Sequence, residues 1–379
     1  MTLGGGTDVT QPKKPDQWHM KDLFALAVQR GASDLHLKAG QPPVLRIQGD
    51  ILFTEFATLG AGEVLNLAME LMDDRLRRQF EEAGSADFSA PVDTGDRFRV
   101  NVYRQRGYTS LAARRVVRVI PGFRDLHLPD AVMKRVCDAA QGLVVFAGIT
   151  GSGKSTSIAA CLDHINHQRR CHIVTIEDPI EFLFEDALAF VNQREIGTDV
   201  PTFDLALKYL MREDPDVVLV GEMRDHDTCE SVLRASETGH LVFTTLHASS
   251  CPGAITRLLD LFEPAEHPVI RQTLASNLVA VICQKLVPGA RPEARLLPAL
   301  EIMLASPAVR QAIREGEERR LADLIVGGTD AGMVDFTQDL ARLVREEWVD
   351  PKVAFEVAPN PELLKMALRG IDVKQGTLR

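Results

Sequence analysis

Residues 148–155 read Gly-Ile-Thr-Gly-Ser-Gly-Lys-Ser, which fits the spacing GxxxxGKS. They follow an apolar run (LVVFAG) and precede an apolar helical pattern (SIAACL). A strand before and a helix behind are the context in which such a loop cradles phosphate. Gly148, Gly151 and Gly153 let backbone N–H groups turn inward around phosphate oxygens, and the helix start adds its dipole. Lys154 supplies a positive charge at the β and γ phosphates, and Ser155 is a candidate ligand of magnesium. Thr150, Ser152 and Thr156 complete the candidate phosphate-binding stretch. The bland alternative is a glycine-rich turn with an exposed lysine, which has no need of the flanking strand and helix. The expected ligands are therefore ATP and Mg2+.

Three further segments bring chemistry to apolar runs. Asp216–Glu222 (DVVLVGE) delivers Glu222 to a strand end, where it could hold the magnesium ion through water or simply be a solvated cap. His172–Phe182 (HIVTIEDPIEF) crowds Glu177, Asp178 and Glu181 around Pro179. Crowded acids are costly without a cation, and one of them could orient the water that attacks the γ phosphate. For Asp178 the alternative is turn chemistry beside Pro179. Thr238–His247 (TGHLVFTTLH) sets His240 and His247 at the two ends of one hydrophobic run, candidates for γ-phosphate sensing or for contact between subunits. Arg97–Arg118 is dense in arginine, and Arg99, Arg104 and Arg114 are candidates to stabilise charge on a transferring phosphoryl group. Solvated or ion-paired surface arginines are the plainer reading.

The elements that must position these residues fall into two patterns. Trp18–Arg30 spaces Met20, Leu23, Phe24 and Ala27 as a helix stopped by Gly31; Leu35, Leu37, Val44, Leu45 and Ile47 alternate as strands do. Leu65–Phe80 is again helical, and Phe98–Tyr103 and Tyr108–Ile120 read as strands, giving a small α+β domain. Past the Pro/Gly-rich Pro121–Pro129, the short apolar runs at Leu143–Ala147, His172–Ile176, Val217–Val220 and Leu241–Leu246 suit buried parallel strands separated by helices. This alternation predicts a doubly wound α/β core. A loop holding Pro288, Pro292 and Pro298 is expected to end it, with a mainly helical remainder from Leu300.

With 379 residues the chain exceeds the size of one usual core, so two or three domains are expected. A net charge of -10 disfavours a general nucleic-acid binder, which needs a basic surface to release counterions. The six cysteines form no CxxC pair, which fits reduced thiols and offers no zinc cage. The leader, 1–16, lacks the apolar core of a signal peptide, and no run approaches the ~18 apolar residues that span a bilayer. A cytoplasmic location without membrane insertion is expected.

Taken together these segments resemble the PilT/PilU family of type IV pilus retraction ATPases, within the secretion ATPase superfamily. GASDLHL at Gly31–Leu37 is similar to that family's opening motif. GITGSGKST is similar to its Walker A, TIEDPIEF at Thr175–Phe182 to its Asp box, GEMRD at Gly221–Asp225 to its Walker B, and GHLVFTTLH at Gly239–His247 to its His box. AVRQAIRE at Ala308–Glu315 resembles the retraction motif, departing from its commonest spelling at several positions. Asn277–Pro288 and the tail beyond Gly316 look closer to PilU than to PilT.

The resemblance implies a PAS-like N-terminal domain (17–120), a linker (121–130), a RecA-like ATPase core (131–298) and a helical C-terminal region (299–379). It implies Glu181 as the catalytic glutamate, Glu222 as the Walker B glutamate, His240 and His247 as the box histidines, and first-domain arginines completing the site. It further implies a homo-hexameric ring at the inner-membrane base of the pilus machine, with a platform protein and a paralogous retraction ATPase as its expected partners. The resulting expectation is an ATP-driven motor of pilus retraction and twitching motility. The alternatives are a partner-dependent accessory subunit and a RecA-like nucleic-acid translocase.

Overall fold

Alternation of apolar and polar residues builds the first of two units in the computed structural model, which describes residues 18–47, 49–92, 96–116 and 119–370 and divides between Arg118 and Val119. The expected leader, 1–16, lies outside the described residues. Unit one runs α1 (Met20–Gln29), β1 (Asp34–Lys38), β2 (Val44–Ile47), β3 (Asp50–Phe53), α2 (Ala61–Leu71), α3 (Asp74–Ala83), β4 (Ser85–Pro91), β5 (Arg97–Gln105) and β6 (Tyr108–Val116). Its six strands form a sheet in the order β3-β2-β1-β6-β5-β4, with every pairing antiparallel. Leu35, Leu45, Phe98, Val100, Leu111 and Ala113 bury one face against Leu23, Phe24, Leu67 and Phe80 of the helices. This is the expected α+β, PAS-like arrangement.

Two details differ from the periodicity. The helical pattern from Leu65 to Phe80 is interrupted at Met72–Asp73, because Asp73 accepts a hydrogen bond from Leu76 N (2.8 Å) and so caps a new helix. Among the described residues the last strand covers Tyr108–Val116, and Val119 and Ile120 lie outside it.

Unit two continues with α4 (Asp130–Cys137), β7 (Gly142–Ala147), α5 (Lys154–Gln168), β8 (His172–Glu177), β9 (Phe190–Glu195), α6 (Phe203–Leu210), β10 (Val217–Val220), α7 (His226–Glu237), β11 (Leu241–Leu246), α8 (Cys251–Leu259), α9 (His267–Asn277), β12 (Leu278–Pro288), β13 (Leu296–Leu304), α10 (Pro307–Glu315), α11 (Glu318–Val326), α12 (Phe336–Arg345), α13 (Pro351–Val357) and α14 (Pro361–Leu368). The strand order is β13-β12-β7-β11-β10-β8-β9. All pairs are parallel except β12 with β13. The four apolar runs become β7, β8, β10 and β11, and β7, β10 and β11 are buried along their whole length because both sheet faces are covered. Leu143, Val145 and Ala147 face a core shared with α7 and α8, while Val144 and Phe146 face one shared with α4 and α5.

The expected end of the core at Pro298 falls inside β13, whose Pro298 pairs with Leu286. A residue without an N–H is tolerated there because β13 is an edge strand. The helices beyond it are mainly helical as expected, and they bury Val309, Ile313, Leu321, Phe336 and Leu340 in the same core as the sheet.

Candidate functional site: a nucleotide site at one sheet edge

Parallel strands that end together present their following loops to one crevice, where ligands of open α/β sheets bind. Here β7, β11, β10 and β8 lie side by side, and their carboxyl ends lead into the phosphate loop, His247, Glu222 and the Glu177–Glu181 turn. Most of the candidate residues are thereby gathered at one edge.

Gly148, Gly151 and Gly153 have φ of 150°, 76° and 86°, values that favour glycine. Space requires it too at two of them. A Cβ on Gly148 would lie 2.4 Å from Ser152 Oγ and 2.5 Å from the Gln284 carbonyl oxygen, and one on Gly153 would lie 2.9 Å from Gln284 Nε2. Behind the loop, α5 starts at Lys154 without any capping side chain and without an acid in its first turn, whereas α7, α8, α10 and α12 are capped by Asp225, Ser250, Ser306 and Asp335. An uncapped helix start with inward-turning glycines fits a bound phosphate.

Lys154 is buried, and its Nζ donates to the carbonyl oxygens of Gly148 (2.9 Å) and Ile149 (3.0 Å). Burial lowers its pKa, partly offset by the charges of Glu222, Cys283 and Glu181. Ser155 Oγ donates to Glu181 Oε1 at 3.0 Å. Thr150 and Gly151 are exposed at the tip of the loop, and Ser155 and Thr156 are half-buried in the first helical turn.

Glu222 follows β10 and is held from two sides: His247 Nε2 lies 3.1 Å from Oε1, and Arg224 Nε donates to Oε2 at 2.8 Å. Arg224 also reaches Asp178 Oδ2 at 3.7 Å, so the acids of two strand ends share one guanidinium. Thr245 Oγ1 donates to the Gly221 carbonyl at 2.7 Å, fixing the turn that presents Glu222. Among the described residues no three of His, Cys, Asp and Glu gather as a metal cage. Magnesium commonly takes one or two carboxylates plus substrate phosphates, so Ser155 and Glu222 are fitting donors.

The turn after β8 separates the three crowded acids by environment. Glu177 is buried and accepts from Thr175 Oγ1 (2.7 Å), Gln193 Nε2 (3.2 Å) and Glu181 N (3.4 Å). Burial nonetheless pushes its carboxyl up to about 7. Asp178, joined to Pro179 by a cis peptide bond, and Glu181 are exposed.

Other candidates stand apart from this group. His240 precedes β11, whereas His247 follows it, a strand length away at the opposite sheet edge. His240 Nδ1 lies 2.9 Å from the Ala235 carbonyl oxygen, and the His240 carbonyl accepts from Gly142 N. The three arginines belong to unit one. Arg99 and Arg114 are cross-strand neighbours on the sheet face away from the helices, and Arg114 Nε donates to Asp34 at 2.8 Å. Arg104 projects on the other side, 5.5 Å over the Phe80 ring.

Two residues of the site escape motif reading. Arg224 lies inside GEMRD without a role of its own, and Gln284 lies in the run NLVAVICQKLVP. An amide inside an apolar run is the signal that was available for Gln284.

A phosphate loop on the first strand of a doubly wound sheet, with carboxylates and a histidine on the neighbouring strand ends, defines a P-loop ATPase with a RecA-like core. More particularly, residues 123–325 match the family described as Type II/IV secretion system protein, and the chain belongs to that family. It is 41% identical over 344 residues to the type IV pilus retraction ATPase PilT of Pseudomonas aeruginosa, covering 90% of this chain and 98% of that protein. Against the type IV pilus ATPase PilU of the same organism the identity is 33% over 347 residues, covering 92% and 90%. Over the aligned spans, identity is thus greater to the PilT relative than to the PilU relative. The crystal structure of the pilus retraction motor PilT with bound ADP superposes with a TM-score of 0.85 at 38% identity, covering 92% of this chain and 99% of that one. No helix among the described residues is long and apolar enough to cross a membrane.

Proposed function

We propose that this protein is an ATP-hydrolysing motor that powers type IV pilus retraction, working as a homo-hexameric ring on the cytoplasmic side of the pilus machine. The observation that carries this reading is likeness to the retraction ATPase PilT across 98% of that protein's length, and the phosphate loop and its acidic neighbours supply the chemistry. A platform protein of the inner membrane and a paralogous retraction ATPase are the partners that go with it.

In this reading the loop amides of residues 148–156 bind the phosphates of ATP, and Lys154 exchanges its two loop carbonyls for β and γ oxygens. Ser155 and Glu222 would hold magnesium, which would supply positive charge against the β and γ phosphates. Glu181, released from Ser155, orients the attacking water. His247 holds Glu222 and senses the γ phosphate through it. Arg99, Arg104 and Arg114 are the proposed sources of added positive charge, and His240, remote from the site, is proposed as a contact between subunits.

The test is twitching in a host deleted for the gene and complemented with wild type or Lys154→Ala, together with turnover and solution mass of the purified protein. Restored twitching and a turning-over hexamer with wild type, and neither activity with the variant, are expected. A folded wild-type protein with negligible turnover that still restores twitching beside a second ATPase would mark the accessory subunit instead. Strong stimulation by DNA or RNA would mark a translocase.

A further inference from the structure

Gln284 sits where a strand has no structural need of an amide. It is buried, 1% exposed, in β12 between Cys283 and Lys285, on the strand alongside β7. Cys283 is in register with Ala147, the last residue before the phosphate loop, so Gln284 comes level with the start of that loop. Burying an amide among apolar neighbours is unfavourable unless its polar atoms find partners.

Its partner is the loop. Gln284 Nε2 donates to the Ser152 carbonyl at 2.6 Å. The same amide nitrogen occupies the space a side chain at Gly153 would need, while the space of one at Gly148 is taken by the backbone carbonyl oxygen of residue 284, which is there whatever the side chain. Two positions of the loop, Ser152 and Gly153, therefore rest on this one side chain. Gln284 Oε1 and Ser152 Oγ are buried without hydrogen-bond partners among the described residues, so the amide tolerates an orphan acceptor in order to make the one bond to the loop. A residue serving packing alone would be apolar, as Ala280 and Ile282 on the same face of the strand are.

We propose that Gln284 is a positioning residue for phosphate recognition: it fixes the Ser152–Gly153 turn so that the loop N–H groups converge on the β and γ phosphates. It acts through the loop and does not touch the nucleotide. The inference rests on the nucleotide-binding reading of the same site.

The experiment uses the full-length chain with Gln284→Met, which keeps the length and loses the donor, and Gln284→Glu, which keeps the shape and opposes a carboxylate to the Ser152 carbonyl. Lys154→Ala is the control, and Kd for ADP, KM and kcat for ATP and the melting midpoint without nucleotide are measured. Loss of one buried neutral hydrogen bond should raise Kd and KM about five- to tenfold in Gln284→Met, and further in Gln284→Glu. With kcat within about twofold of wild type, this is the signature of lost ground-state binding. A lowered midpoint in both variants with ADP affinity unchanged would overturn the proposal in favour of simple packing. So would wild-type affinity in both variants while Lys154→Ala loses binding. A folded wild type that binds neither ADP nor ATP would instead remove the nucleotide reading, and this inference with it.

Discussion

Ser155 and Glu181 are 26 positions apart in the chain and 3.0 Å apart in space, which makes them the most direct test of the site at the scale of single residues. Lys154→Ala and Glu181→Gln are each expected to cut ATP turnover by about 10²- to 10³-fold, the effect of removing one preorganised group from a charged transition state. Steady-state phosphate release checks both, and wild-type rates in either folded variant would reject its role. Glu177 gives a different prediction. Its folded value of about 7 lies above the ordinary 4.5, so the neutral carboxyl favours the fold. That contribution is whole below pH 4.5 and is lost as pH rises through 7, in total roughly 3 kcal/mol. Glu177→Gln should flatten the fall in stability between pH 5 and 7, read from urea denaturation at a series of pH values. The glycines, Lys154 and Ser155 were legible from spacing because a phosphate loop is local in sequence. Which of Glu177, Asp178 and Glu181 is buried was not legible, because their environments are set by Gln193 and Arg224 from other segments.

Among the elements, the all-apolar strands β7, β10 and β11 could be read directly, since burial on both faces leaves a continuous apolar run. The edge strands could not. β9 is half-exposed and mixed in composition, and β13 carries a proline that reads as loop until its place at the sheet edge is known. The phosphate loop depends on β12 in a way no local pattern reveals. Gly153→Ala places a methyl group 2.9 Å from Gln284 Nε2 on a backbone with φ of 86°. The strained backbone alone should cost on the order of 1–3 kcal/mol, so thermal unfolding should show a lower midpoint and ADP should no longer raise it. A more ordinary change, Ser306→Ala, removes the cap that accepts from Val309 N and should cost about 1 kcal/mol with ADP binding intact. Loss of ADP binding there would tie the C-terminal helices to the site.

For the whole molecule, each unit has its own core, with Leu23, Phe24 and Phe98 in one and the doubly covered sheet in the other. A fragment beginning at Val119 is therefore expected to fold and to bind ADP. Its turnover should fall well below that of the full chain if Arg99, Arg104 or Arg114 completes the site. Restoration by adding residues 18–118 in trans would locate the missing charge, and full turnover by the fragment alone would remove the arginines from the mechanism.

Lys154, closed onto the Gly148 and Ile149 carbonyls, gives the phosphate loop an internal competitor. Every incoming nucleotide must win the ammonium from two oxygens of the protein, and every departing one leaves it with somewhere to go. Such competition lowers affinity for ATP and ADP alike. It also spares the vacated loop an unpaired buried charge, which smooths the path for product to leave. In an engine that must turn over under load, a site that empties readily is as useful as one that fills.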